Sequence, residues 1–290
     1  MTDISFSRLV LVASSGSLKI QDSLFENINS SLFFLSDVTT SINNVTFNKI
    51  SCQKSFNSFC LLKVTSSPQV IEIANSALAN FYSNVDLISL SDCTQVLLSN
   101  FTAQNILKDT QENLDQIFVL SALNVQSLNV SQSHFSRIGF SSLKAKNTFL
   151  KIKDSTFSNR LKNDRRLLSQ SINDNLYSAK LNQPIQFMIL DSSNSTLTNI
   201  SFAENSFNTL VNGGAVQILG SGGVHTFTGC IFENNQASNG AALYVKGQAG
   251  SISILKSQFD NNQASGNGGV LFFADQSLLF VISLSLIISH

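Results

Sequence analysis

Along this 290-residue chain no long segment sustains a 3.6-residue apolar stripe; short apolar runs bounded by Ser, Asn and Gly recur instead. That patterning predicts strands. The clearest self-similarity is Phe232-Glu-Asn-Asn-Gln-Ala-Ser against Phe259-Asp-Asn-Asn-Gln-Ala-Ser, which differ only by Glu for Asp. Each copy leads through a glycine turn into an apolar strand, Gly240-Ala241-Ala242-Leu243 and Gly268-Gly269-Val270-Leu271. A third copy runs from Phe202 and Asn205 to Gly213-Gly214-Ala215-Val216.

Relaxing the pattern extends it upstream through Phe25, Phe47, Leu78, Phe101, Phe135 and Phe157. The spacing is irregular, shortest from Phe25 to Phe47 and from Phe135 to Phe157, longest from Phe157 to Phe202. The shortest of these spacings is near the minimum for three short strands and three turns. Strands stacked about 4.8 Å apart turn equivalent residues into columns. The expected architecture is therefore all-β, a single-stranded solenoid of about nine coils: a right-handed parallel β-helix with an inward Phe column. Asn and Gly at the turns supply left-handed backbone and local hydrogen bonds.

The terminal run Leu278 to Ile288 reads LLFVISLSLII, and its second half alternates with Ser283 and Ser285. It is too short a run for the about 20 residues that span a bilayer. A last coil is the preferred reading, a truncated membrane anchor the alternative. At the other end the run Leu9 to Ala13 is too short for the core of an export signal. Residues 1–290 read as one repeat domain and as a piece of a longer protein.

The spacing from Phe157 to Phe202 holds an insertion, residues 159–183, polar and basic with Arg160, Lys162, Arg165 and Arg166. It reads as a solvated loop; a patch for acidic polysaccharide or phospholipid is the sharper alternative. Overall charge is balanced, 18 basic against 18 acidic residues, which argues against nucleic acid as a partner.

Candidate chemistry is thin. No two acidic residues are adjacent; Asp86 with Asp92, or Asp154 with Lys151 and Lys153, are the least weak carboxylate candidates, and ordinary surface charge is the plainer account. His134 and His225 are isolated and expected to face outward. Gly220-Ser221-Gly222-Gly223 lacks the Lys and Ser/Thr of a phosphate loop and reads as a turn. Cys52, Cys60, Cys93 and Cys230 show no metal-binding spacing, so neither metal nor cofactor is expected. Single buried thiols are preferred, with a Cys52–Cys60 disulfide left open for an oxidising compartment. Six N-x-[ST] sequons, at Asn29, Asn44, Asn100, Asn129, Asn194 and Asn199, match what so Asn- and Ser-rich a chain contains by chance.

The FxxN elements Phe202/Asn205, Phe232/Asn235 and Phe259/Asn262, with Gly213-Gly214-Ala215-Val216 and Gly268-Gly269-Val270-Leu271, resemble the repeats of chlamydial polymorphic outer-membrane proteins. The same repeat type recurs in large protist surface proteins with pectin-lyase-like β-helices. The resemblance covers residues 202–271 well; upstream, Phe25 and Phe47 lack the Asn at the third following position. It implies a non-catalytic structural or adhesive segment at the cell surface, extracellular, with an unknown protein or polysaccharide ligand and a membrane tether in the remainder of the protein. The alternative it carries is a polysaccharide lyase or glycoside hydrolase on the same fold.

Overall fold

The computed structural model describes residues 11–52, 59–108, 117–158, 187–205, 212–247, 250–274 and 286–289. The basic insertion at 159–183, with Arg160, Lys162, Arg165 and Arg166, lies outside them. Every strand pairs in parallel with the equivalent strand of the next coil, as in Phe33–Ser36 on Phe59–Thr65 and Asp86–Ser91 on Phe118–Leu123 and then Ser141–Lys146. Among the described residues, ten such strands, from Leu11–Ala13 to Leu271–Phe273, form the first face. The second and third faces share an 18-stranded sheet, because early strands such as Val38–Asn48 run unbroken around the corner between them. The chain is thus a parallel β-helix. Its ten first-face strands make a rod on the order of 45 Å long.

Side chains alternate in and out along each strand, so the inward ones stack into columns. On the first face one column is Leu35, Val64, Leu90, Ala122, Ala145, Leu190, Ile218 and Val245. On the third face it is Phe25, Phe47, Leu78, Ala103, Phe135, Phe157, Phe202, Phe232 and Phe259. The rings of Phe135 and Phe157 stack at 4.7 Å, those of Phe202 and Phe232 at 5.0 Å, and those of Phe232 and Phe259 at 4.8 Å. Fully buried aromatic rings in such numbers carry most of the hydrophobic stabilisation of this face.

One member of the expected column is displaced. Phe101 is buried two residues earlier, where neighbouring coils place Ser76 and Ser133, and Ala103 takes the column position. A large residue followed by a small one in this coil replaces a small one followed by a large one above and below. The core volume is conserved while the ring moves sideways, to 6.0 Å from Phe135.

The described coils turn at three corners, each marked by left-handed residues. Asp37, Asp92, Asn124 and Asn147 stand at the first, Asp22, Asn44, Asn75, Asn100 and Asn199 at the second, Asn80, Asn105, Asn234 and Asn261 at the third. Non-glycine corner residues hold φ between 46° and 58°, a region that Asn and Asp tolerate through local hydrogen bonding. Their side chains form ladders on the outside: Asn100 Nδ2 donates to Asn75 Oδ1 at 2.9 Å, and Asn124 Nδ2 to Asp92 Oδ1 at 2.9 Å. Inside the second corner, hydroxyls close the turn. Val45 N–H donates to Ser76 Oγ at 3.2 Å, Ser133 N–H to Ser155 Oγ at 3.1 Å, and Cys230 N–H to Ser257 Oγ at 3.1 Å.

The spacing of corners explains the irregular repeat. The step from second to third corner is the same in Asn44–Lys49, Asn75–Asn80, Asn100–Asn105 and Gly229–Asn234. From the third corner to the next first corner the step is short in Asn27–Asp37 and Arg137–Asn147 and nearly twice as long in Asn105–Asn124. Length variation is concentrated in that one connection.

At the C-terminal end, Leu286–Ser289 pairs in parallel with Ser257–Asp260 and places Ile288 opposite Phe259. That backbone is a further coil strand, as the alternation predicts for this segment. Among the described residues no helix is long and apolar enough to cross a membrane.

Candidate functional site

The FxxN and glycine motifs are structural throughout. Asn235 and Asn205 are buried inside the third corner. Asn235 Nδ2 donates to Phe202 O at 3.0 Å and to Asn262 Oδ1 at 2.9 Å, and Asn262 Nδ2 donates to Phe232 O at 2.8 Å. The motif Asn therefore ties one coil to the next from inside. The left-handed residue is its predecessor, Glu204, Asn234 or Asn261. Likewise Gly213 and Gly268, the first glycine of each pair, are left-handed, at φ 75° and 63°. Gly214 and Gly269 do not take that conformation. Gly214 is required for space: a Cβ there would lie 2.5 Å from the Ala241 carbonyl oxygen.

Among the described residues, the most perturbed carboxylate lies on the outside of the first face. Its outward column reads Phe34, Lys63, Ser89, Ser121 and Lys144. Asp86 opens its strand beside this column; its Oδ1 accepts the Phe118 N–H at 2.9 Å, with the Ser121 hydroxyl also bonded to the carboxyl and Lys144 nearby. Burial pushes the carboxyl up to about 6, against the opposing pull of the Phe118 N–H, Ser121 and Lys144. The Lys144 ammonium rests 5.2 Å from the centroid of the Phe118 ring, and that of Lys63 5.8 Å from Phe34. The result is an outward-facing cluster in which one carboxyl of raised pKa lies beside the Lys144 cation.

Asp92 does not join it. It sits at the far end of the same strand as a first-corner residue, accepting Asn124 Nδ2. Asp154 is a second-corner residue that accepts Asn199 Nδ2 at 2.9 Å, with Lys153 Nζ 3.6 Å away and Lys151 over Phe149 instead. The two carboxylate candidates are thus separated, and a general-acid/general-base pair is not assembled at either. Among the described residues no three His, Cys, Asp or Glu side chains are placed to hold a metal ion.

His134 is exposed, as expected, but His225 is not. It occupies an inward column of the second face, Leu128, Leu150, Ser195, His225, Ile252, and is 1% exposed. Its Nδ1 lies 2.9 Å from Ser195 Oγ. Two polar side chains in adjacent coils replace two aliphatic ones and satisfy each other, which is the arrangement burial demands. Burial holds the imidazole down to about 4, so it is neutral at physiological pH. Sealed in the core, the pair is structural. Alternation was the available signal: Val224-His225-Thr226-Phe227-Thr228 puts His225 on the same side as Phe227.

Cys52 and Cys60 form a disulfide, with Cα atoms 5.5 Å apart, which corrects the preferred reading of four separate thiols. Cys93 and Cys230 are buried thiols; burial pushes the Cys230 thiol up to about 11 and Cys93 in the same direction, which disfavours the thiolate at both. Gly220 to Gly223 form a first-corner turn, with Gly220 and Gly222 left-handed.

Ladders, corners and columns together define the class, a parallel β-helix with, among the described residues, one acid of clearly raised pKa. No family model matches the chain, and no curated protein matches it. Among solved structures, the catalytic domain of a GH87 alpha-1,3-glucanase variant in complex with tetrasaccharides aligns at 11% identity with a TM-score of 0.21. The alignment covers 96% of this chain, which spans 64% of that domain. So loose a superposition carries no argument about activity; the fold assignment rests on the ladders themselves.

Proposed function

We propose that this chain is a non-catalytic β-helical segment of a cell-surface protein, a rigid spacer whose faces bind or display, with an adhesive role towards a protein or polysaccharide ligand. The observation that carries the reading is where its polar groups are directed. Corner Asp and Asn side chains bond to the neighbouring coil, Asn235 and Asn262 bond to backbone, and the hydroxyls of Ser76, Ser155 and Ser257 close turns. A scaffold is built this way. The likeness of the FxxN and glycine elements to chlamydial polymorphic outer-membrane protein repeats, and to protist surface proteins, supports it. A membrane tether would lie in the remainder of such a protein.

The test is antibody labelling of intact source cells, followed by competition of their attachment with purified protein. Labelling without permeabilisation and reduced attachment are the expected results. Signal confined to permeabilised cells would overturn the reading.

One observation favours a second reading, a polysaccharide lyase or hydrolase: the Asp86 carboxyl is pushed up to about 6 beside Lys144 and Ser121. Turnover of a polysaccharide by the purified protein, abolished in Asp86→Asn, would replace the scaffold reading with this one.

A further inference from the structure

Three of the six sequons fall on one line. Asn44, Asn100 and Asn199 are all left-handed residues of the second corner, with φ of 55°, 46° and 54°, and all three are exposed. In each, the middle residue turns into the core: Val45, Phe101 and Ile200 are 1% exposed. The third, Thr46, Thr102 or Ser201, starts the third face on its outer side. The acceptor nitrogens run along the outside of the stack, donating to the preceding coil: Asn44 to Asp22 Oδ1 at 2.7 Å, Asn100 to Asn75 Oδ1 at 2.9 Å, Asn199 to Asp154 Oδ1 at 2.9 Å. None of the remaining sequon asparagines is a left-handed corner residue. Asn129 is half-buried on the second face with its Nδ2 on Ser127 Oγ, Asn194 accepts the Val224 N–H at 2.8 Å, and Asn29 lies in a connection.

A second observation is independent of the sequons. The Cys52–Cys60 disulfide belongs to an oxidising compartment, the secretory lumen among them, where N-glycosylation takes place.

We propose that Asn44, Asn100 and Asn199 carry N-linked oligosaccharides, which line the second corner as a single glycan ridge. The inference rests on the surface-protein reading. The transfer forms a bond from Nδ2 to the anomeric carbon of the sugar. It breaks that carbon's bond to the diphosphate of a lipid-linked oligosaccharide donor, and releases one amide proton with the lipid diphosphate. The second amide hydrogen stays on Nδ2, so the nitrogen remains a donor after the modification. Asn44 and Asn100 are two coils apart, and Asn100 and Asn199 three, giving roughly 10 and 14 Å between attachment points. The ridge shields one edge and leaves the outer side of the first face, with Asp86 and Lys144, bare for a ligand.

The test uses protein purified from its source cells, alkylated without reduction, treated with N-glycosidase in heavy-oxygen water and mapped by peptide mass spectrometry. Heavy-oxygen conversion to Asp at all three corner positions, with Cys52 and Cys60 found linked, is the expected result. Unconverted corner asparagines with the disulfide present would overturn the glycan ridge and leave the oxidising compartment standing. Unconverted asparagines with Cys52 and Cys60 alkylated would overturn the compartment and the surface reading as well. Conversion at Asn129 or Asn194 in place of the corners would refute the geometric basis.

Discussion

Replacing His225 by Leu should change the pH dependence of stability in a defined direction. The imidazole is held down to about 4 by burial, against an ordinary value of 6.5. Its contribution is fully present above 6.5 and is lost as pH falls through 4. Each tenfold in a proton equilibrium is worth about 1.4 kcal/mol, so forcing a proton onto it costs about 3 kcal/mol. Asp86 runs the other way. Its carboxyl is raised from 3.8 to about 6, so its contribution is present below 3.8 and lost as pH rises through 6. Discounted for partial exposure, that is about 2 kcal/mol. Between about pH 6 and pH 4 the two offset each other in the native protein. Guanidinium unfolding at about pH 7 and about pH 4 separates them. His225→Leu should gain about 3 kcal/mol relative to wild type on acidification, and Asp86→Asn should lose about 2. The other carboxylates are common to all three proteins and cancel in the comparison. A His225→Leu profile parallel to wild type, or a His225 resonance titrating near its ordinary value, would refute the placement of this side chain in the core.

The displaced ring at Phe101 invites a compensated swap. Phe101→Ser alone should cost about 3–5 kcal/mol in denaturation midpoint, and adding Ala103→Phe, which recreates the Ser133/Phe135 arrangement, should recover most of it; failure to recover would mean the two positions do not share one volume. Phe232→Ala, with rings stacked at 5.0 and 4.8 Å on its two sides, should also cost about 3–5 kcal/mol, and a loss below about 1 would remove it from the column. Gly268→Ala should destabilise by at least about 1 kcal/mol, because its φ is 63° and a Cβ would overlap the Leu271 carbonyl. Gly269→Ala should be tolerated, since Ala241 already stands at the equivalent place; equal effects at the two glycines would undo this assignment of roles.

The Phe column was legible because large rings recur at one place in a chain otherwise built from small polar residues. Its one error, Phe101 for Ala103, came from counting between aromatics. Counting from the corners removes it: the column residue is always three after the second-corner residue, as in Asn44–Phe47, Asn75–Leu78, Asn100–Ala103 and Asp154–Phe157. Left-handed corners are set by Asn, Asp, Ser, Gln and even Lys256, a mixture too varied to align by identity. The Asp86 site was beyond sequence reading for a different reason. Asp86 meets Phe118 across the one connection whose length varies most, so no fixed spacing announces the contact. The Cys52–Cys60 pairing was weighed on composition, whereas it depends on the chain bringing two Cα atoms within 5.5 Å.

Parallel stacking also has a mechanical consequence. The backbone hydrogen bonds between coils run along the rod, so tension between its ends falls on them directly, and coils detach from an end one at a time instead of shearing together. A coil such as Asn75 to Asn100 occupies about 4.8 Å of the folded rod, yet its chain reaches roughly 85 Å when extended. Under load the protein would lengthen in steps of that order. A rod of this kind absorbs a sudden pull by releasing one coil and keeping the rest.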